Sequence, residues 1–180
     1  MLRKSEHIFI LFILNFLFSV VVYAYSSGPP NAHTRPPDTY THCHKGSSLN
    51  SRGGIFQLLG VPVKYIPSSQ YPITVKLYQK GQKRWGFELK ATAGTILIID
   101  STNTQLSANT YLKQTLSGTY AGNTSGGIWS FKWQAPNTSI DTIIFYAAGN
   151  AANNDSSNAG DYTYTTIVTT YRAIKNNSKE

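Results

Sequence analysis

The chain has 180 residues, with 16 Lys and Arg against 8 Asp and Glu and a formal net charge of +8. This length suits one domain with a substantial core. The basic residues are scattered and accompany no recognition motif, which argues against a dedicated nucleic-acid-binding protein. A single cysteine excludes an internal disulfide, so packing must stabilise the fold.

The N-terminus has the pattern of a secretory signal peptide. Two basic residues precede an apolar run over 8–22, and the run ends in the small-residue pattern VYA at 22–24. The run is shorter than the roughly 20 apolar residues that a spanning helix needs. We therefore expect 1–24 to be a cleaved signal peptide. The protein would then be periplasmic or secreted, with no membrane span in the mature chain.

An arm rich in Ser, Gly, Pro and Asn is predicted to follow over 25–54. Its stretch SSGPPNAHTRPPD at 26–38 carries residues that resist both helix and central strand. The same arm holds Cys43, the cysteine of the chain, directly before His44. We expect this segment to be extended.

Segments that alternate apolar and polar residues begin at about 55 and are separated by turn clusters. Period two with one apolar face is typical of a half-buried strand. The predicted strands are VKYI from 63, YPITVKLYQK from 71, RWGFELKAT from 84, TILIID from 95, NTYLKQT from 109, GIWSFKWQAP from 127, DTIIFYAAG from 141 and DYTYTTIVTTYR from 161. The pattern predicts an all-β, antiparallel immunoglobulin-like sandwich of seven or eight strands over 55–174, followed by a polar tail at 175–180.

One strand carries three large aromatic residues at alternate positions. Trp129, Phe131 and Trp133 lie on one side of GIWSFKWQAP, and Ser130 and Lys132 lie on the other. This spacing predicts burial of the three rings on one sheet face. A carbohydrate-binding platform of exposed rings is disfavoured by the same alternation.

Four segments in order resemble the Reeler-like, choice-of-anchor V family of exported domains. They are GFELKA at 86–91, SFKWQAP at 130–136, IIFYAAGNAANND at 143–155 and GDYTYTT at 160–166. SGPP at 27–30 and the Cys43-His44 pair extend the resemblance over essentially the whole mature chain. It implies a non-enzymatic sandwich module for surface binding or adhesion, with an unidentified cell-surface or extracellular ligand.

The resemblance also implies an alternative, a c-type haem-binding protein. Relatives typically carry C-x-x-C-H in the arm, the spacing that fixes haem through two thioethers, but here Tyr40 stands at the first cysteine position. Cys43 would make a single thioether, with His44 as proximal iron ligand and His33 as second axial ligand. A zinc or copper site is disfavoured, because consecutive side chains from His42 to His44 alternate sides in an extended chain.

Two other states of Cys43 stay open on the sequence. An odd cysteine in an exported protein can pair with a second chain, or it can remain a free, solvent-facing thiol. We favour the free thiol, and therefore a monomer over a disulfide-linked dimer.

Catalytic groups are scarce. No histidine or cysteine follows His44, so a Ser-His-Asp arrangement would have to take its base from the arm. Glu88 is predicted on the strand face opposite Phe87 and Leu89, either exposed or paired across strands. We expect no enzymatic activity and assign no catalytic residue.

The loop GNAANNDSSNAGD at 149–161 is a candidate binding loop. Asn150, Asn153, Asp155 and Asp161 offer oxygen atoms at an end of the sandwich, where such scaffolds place binding residues. The spacing fits no EF-hand, and Asn, Asp and Gly also favour turns. We therefore predict no metal site here.

Overall fold

The computed structural model describes residues 28, 31, 34–35, 38–39, 44 and 46–173. The predicted signal peptide, the polar tail, His33, His42 and Cys43 lie outside these residues, as does Tyr40.

Twelve strands occur among the described residues. They are β1 (Thr34–Arg35), β2 (Asp38–Thr39), β3 (Gly54–Leu59), β4 (Lys64–Tyr65), β5 (Gln70–Gln79), β6 (Arg84–Ala91), β7 (Thr95–Ile98), β8 (Thr104–Ser107), β9 (Tyr111–Gln114), β10 (Gly127–Gln134), β11 (Thr142–Ala152) and β12 (Tyr162–Arg172). A single 3-10 turn, Ser117–Thr119, lies between β9 and β10. No helix that could cross a membrane occurs in the described part of the chain.

Two sheets form the sandwich. One has the order β3-β5-β10-β7 and the other β4-β12-β11-β6-β9-β8, while β1 and β2 pair separately. All pairs are antiparallel except β4 with β12. The predicted all-β sandwich is confirmed. It has ten strands rather than seven or eight, because the sequence pattern gave no strand at β3 or β8.

The core lies between the facing sheets and is rich in indole rings. Trp129, Phe131 and Trp133 are at most 1% exposed, so their predicted burial is confirmed. Trp129 Nε1 donates to the Gly118 carbonyl at 2.9 Å, and Trp133 Nε1 donates to the Ala93 carbonyl at 3.0 Å. Each indole N–H therefore keeps a partner inside the core, as a buried donor requires.

Truncation of this aromatic row is expected to cost much of the stability. Trp129→Ala and Trp133→Ala should each lower the free energy of unfolding by about 3–5 kcal/mol, because each leaves a cavity in a packed core. Urea denaturation measures the change. Ile128→Ala is the matched control, because Ile128 lies on the same strand and is 56% exposed. Losses under about 1 kcal/mol for both tryptophans would contradict their core role.

The described residues of the arm lie against the outer face of the six-stranded sheet. Strand β1 packs on β11 and β6. Farther along, Asn50 donates its main-chain N–H to the Thr163 carbonyl at 2.9 Å, and its side-chain Oδ1 accepts from Thr165 N at 2.8 Å. The chain therefore joins β12 before it enters β3. This packing brings the end of the arm to the connection between β11 and β12.

Candidate functional site at the docked arm

The end of the arm is fixed by a histidine–carboxylate pair. His44 Nδ1 lies 2.6 Å from Asp161 Oδ2, and the two side chains are 27% and 1% exposed. A carboxylate bonded to Nδ1 fixes the orientation of the ring and makes Nε2 the nitrogen that takes up a metal ion or a proton. Two residues 117 positions apart thus form one polar unit.

The Asp161 carboxylate is surrounded by donors from the same end of the sandwich. Asn150 Nδ2 lies 3.4 Å from Asp161 Oδ2 and 3.3 Å from His44 Nδ1, and Asn153 N donates to Asp161 Oδ1 at 3.3 Å. Ser47 Oγ donates to the Asp161 main-chain carbonyl at 3.0 Å. A buried charge is stable only with such partners.

A glycine allows the arm to approach this connection closely. A Cβ on Gly46 would lie 2.5 Å from the main-chain nitrogen of Gly160, which is shorter than van der Waals contact, and Gly46 has φ +145°. Any side chain here would push the arm away from Asp161. Glycine at this position is therefore a steric requirement of the pair.

The shape of the loop between β11 and β12 is held by hydrogen bonds from its own side chains. Asn153 Nδ2 donates to Asp155 Oδ2 at 2.9 Å, and Asp155 Oδ1 accepts from Ser157 N at 2.8 Å. Asn154 and Ser156 have positive φ angles of 63° and 67°. This is the turn chemistry that Asn and Asp supply.

The four predicted loop residues therefore have two different roles. Asp161 holds His44 and accepts from Asn150, whereas Asp155 shapes the exposed turn and Asn153 contacts both parts. The described residues contain no group of three or more His, Cys, Asp or Glu side chains that could hold a metal ion. His33 and Cys43 lie outside the described residues, so their assignments stay predictions.

A second polar unit lies under the arm, and sequence reasoning missed its burial. Glu88 Oε2 is 3.3 Å from Lys113 Nζ, with side chains 0% and 5% exposed. The two residues are register partners on β6 and β9, so the cross-strand pairing expected of Glu88 is present. Lys113 Nζ also donates to Asn31 Oδ1 at 2.7 Å. The alternation of apolar and polar residues predicted Glu88 on the outer face of the sheet, and the arm covers that face, so Glu88 is buried.

Removal of Asp161 should release the end of the arm. Asp161→Ala deletes the acceptor of His44 and Asn150, and hydrogen bonds to charged groups contribute about 1.5–3 kcal/mol each. We expect faster amide exchange at residues 46–50, measured by mass spectrometry, with the strands of the four-stranded sheet unchanged. Asp155→Ala is the control in the same loop and should leave residues 46–50 protected. Equal exchange in wild type and Asp161→Ala would show that the pair does not anchor the arm.

Removal of the Lys113 charge should destabilise the protein, and additional removal of the Glu88 charge should restore part of the stability. Lys113→Met takes the ammonium from beside the buried Glu88 carboxylate, and loss of one partner of a buried pair costs about 3–5 kcal/mol. The double variant Lys113→Met, Glu88→Leu should recover the electrostatic part of that loss. Urea denaturation measures both, and Lys76→Met on the other sheet is the control. A double variant no more stable than Lys113→Met would mean that the cost is not electrostatic.

Comparison with solved structures identifies the fold. The Reelin-N domain of F-spondin is similar over 74% of this chain and 95% of that chain, with 16% identity and a TM-score of 0.51. The human F-spondin reeler domain covers 69% of this chain and 94% of its own, with 19% identity and a TM-score of 0.48. A type II cohesin domain from the cellulosome of Acetivibrio cellulolyticus covers 65% and 94%, with 8% identity and a TM-score of 0.41.

The reeler fold implied by the sequence resemblance is thus confirmed. No protein-family model matches the chain, and no curated protein matches it. The choice-of-anchor V assignment stays a prediction.

Proposed function

We propose that this protein is an exported, non-enzymatic reeler-fold module that binds a cell-surface or extracellular ligand through the docked arm and the adjacent β11–β12 loop. The observation that supports this proposal is the His44–Asp161 pair, which fixes the arm beside an exposed, internally bonded loop. Ends of sandwiches are where such scaffolds carry recognition residues. Export rests on the signal-peptide pattern at 1–24.

The carboxylates of the described residues support a non-enzymatic role, because four of them hold structure. Glu88 pairs with Lys113, Asp155 shapes its loop and Asp161 holds His44. Asp100 accepts from Thr102 N and Asn103 N in the turn before β8, and a side-chain hydrogen bond from Asn103 lowers the pKa of Asp100 below its ordinary value. A carboxylate that acts as a catalytic acid or base has to reach a substrate proton.

The His44–Asp161 pair has the form of two members of a Ser-His-Asp triad, so hydrolysis needs to be weighed. The hydroxyl brought to this pair by the arm is that of Ser47, and it donates to the Asp161 main-chain carbonyl. A nucleophilic serine has to bond the imidazole of its base instead. This contact therefore favours a structural role for Ser47.

Binding can be tested on the surfaces that an exported module would meet. Labelled mature protein should be retained saturably on whole cells and isolated envelopes of the organism that makes it. The double variant Asn154→Ala, Asp155→Ala should weaken retention several-fold, because both residues lie in the loop proposed to contact the ligand. Asn137→Ala, in the connection before β11 and hence at the other end of that strand, is the control and should bind normally. Retention that neither saturates nor responds to the loop variant would contradict the proposal.

One observation favours a second candidate, the c-type haem protein. A proximal histidine typically donates its Nδ1–H to a carboxylate or carbonyl, which orients the ring and strengthens its bond to iron. Asp161 stands in that position toward His44 at 2.6 Å. The described residues therefore fit a proximal ligand, while the tether through Cys43 and the second ligand His33 rest on the sequence alone. Haem would supply electron transfer or gas binding.

A pigment test separates the two candidates. The precursor is produced in a host with haem-attachment machinery, purified, and examined by the pyridine haemochrome spectrum and on non-reducing gels. We expect a colourless monomer whose spectrum is unchanged by Cys43→Ser, because Tyr40 removes one of the two attachment points. A haem peptide that survives denaturation and disappears in Cys43→Ser would establish the second candidate.

A further inference from the structure

We propose that Lys113 and Asn31 form an intramolecular amide bond with release of ammonia, and that Glu88 catalyses its formation. The bond would tie the arm covalently to the six-stranded sheet. It goes beyond the binding role, and its test does not depend on any ligand.

The three groups already stand in the required order. Lys113 Nζ lies 2.7 Å from Asn31 Oδ1 and 3.3 Å from Glu88 Oε2. A C=O bond is about 1.23 Å long, so the Asn31 carbonyl carbon is within about 3.9 Å of the lysine nitrogen. Attack needs about 3–3.5 Å. A shift of under about 1 Å, with a turn of the amide plane, reaches that geometry.

The setting keeps water away from the nucleophile and its base. The side chains of Lys113 and Glu88 are 5% and 0% exposed. A lysine becomes a nucleophile when it gives up its proton in a desolvated site beside a general base. In a buried ion pair, transfer of that proton to the carboxylate neutralises both groups at once, so no separated charge is left.

The arm holds the amide in place. Gly28 has φ +106°, and a Cβ there would lie 2.8 Å from Lys113 Cδ, so the arm's main chain lies against the lysine stem. Strand β1 then packs on β6 and β11. On the other side, Lys113 is fixed by its register pairing with Glu88 and Gln105. Such positioning turns a slow encounter into a favourable intramolecular step.

The step balances without an added reagent. Glu88 accepts a proton from the Lys113 ammonium, and the neutral Nζ attacks the side-chain carbonyl carbon of Asn31. Glu88 then returns that proton to the amide nitrogen Nδ2 and accepts the second proton that Nζ loses, so that the carboxyl group ends protonated and later releases this proton to solvent. The new bond joins Nζ to Cγ, the Cγ–Nδ2 bond breaks, and ammonia leaves. No oxidation or reduction takes place.

Intact mass under denaturing conditions is the decisive measurement. We expect the mature wild-type protein to be lighter than its sequence by one ammonia molecule, and a digest to give a branched peptide that joins residues 31 and 113. Lys113→Met, Asn31→Ala and Glu88→Gln should each restore the full mass. Lys90→Met is the matched control and should keep the bond, because Lys90 lies two residues from Glu88 and stacks its ammonium on Tyr111 at 5.2 Å.

The wild-type mass decides the proposal even where a variant fails to fold. Full sequence mass after prolonged incubation would overturn it. A gain of mass by hydrolysis of Asn31 to aspartate would also overturn it, since Asn31 is exposed and water would then have acted as the nucleophile. Loss of ammonia without a branched peptide would also overturn it, because an asparagine can lose ammonia by cyclising onto the main-chain nitrogen of the following residue. Formation of the bond in Glu88→Gln would contradict the proposed catalytic role of Glu88.

Discussion

The burial of two carboxylates, Glu88 and Asp161, is the constraint on which the arrangement of this protein depends. A carboxylate removed from water is stable only where cations and donors replace its hydration. Lys113 on a neighbouring strand and His44 on the arm supply that replacement. Because the arm covers one carboxylate and forms a hydrogen bond to the other, it is as much a part of the folded domain as the strands that it covers.

The motifs that suggested the family are separate in sequence but meet in space. GFEL contributes Glu88, the AAGN segment contributes Asn150, the GD pair contributes Asp161, and the Cys-His pair contributes His44. Three of these four contact one another directly, and Glu88 lies beneath the same arm. The motifs therefore describe one physical task, which is to hold the arm on the sheet. That common purpose explains why these four residues are polar.

The sequence predicts the sandwich well because hydrophobic alternation is a local signal. Trp129 and its neighbours on β10 alternate so regularly that their buried face follows directly. Strand β8 was missed because Thr104–Ser107 carries a single large apolar residue. Docking of the arm was missed for a different reason. Hydrogen bonds between residues such as His44 and Asp161, more than a hundred positions apart, leave no periodic trace, and Glu88 is outward only while nothing covers it.

The position of the arm also sets an order of events when the chain folds. The arm is the first described segment to leave the ribosome, yet its partners lie on β6, β9, β11 and at the start of β12, which is made last. The surface that it occupies is therefore incomplete until the final strand has paired. During synthesis the part of the arm around His44 and Gly46 remains accessible to enzymes that modify or cleave extended chains. Its protection in the finished domain thus reports that the C-terminal strand is in place.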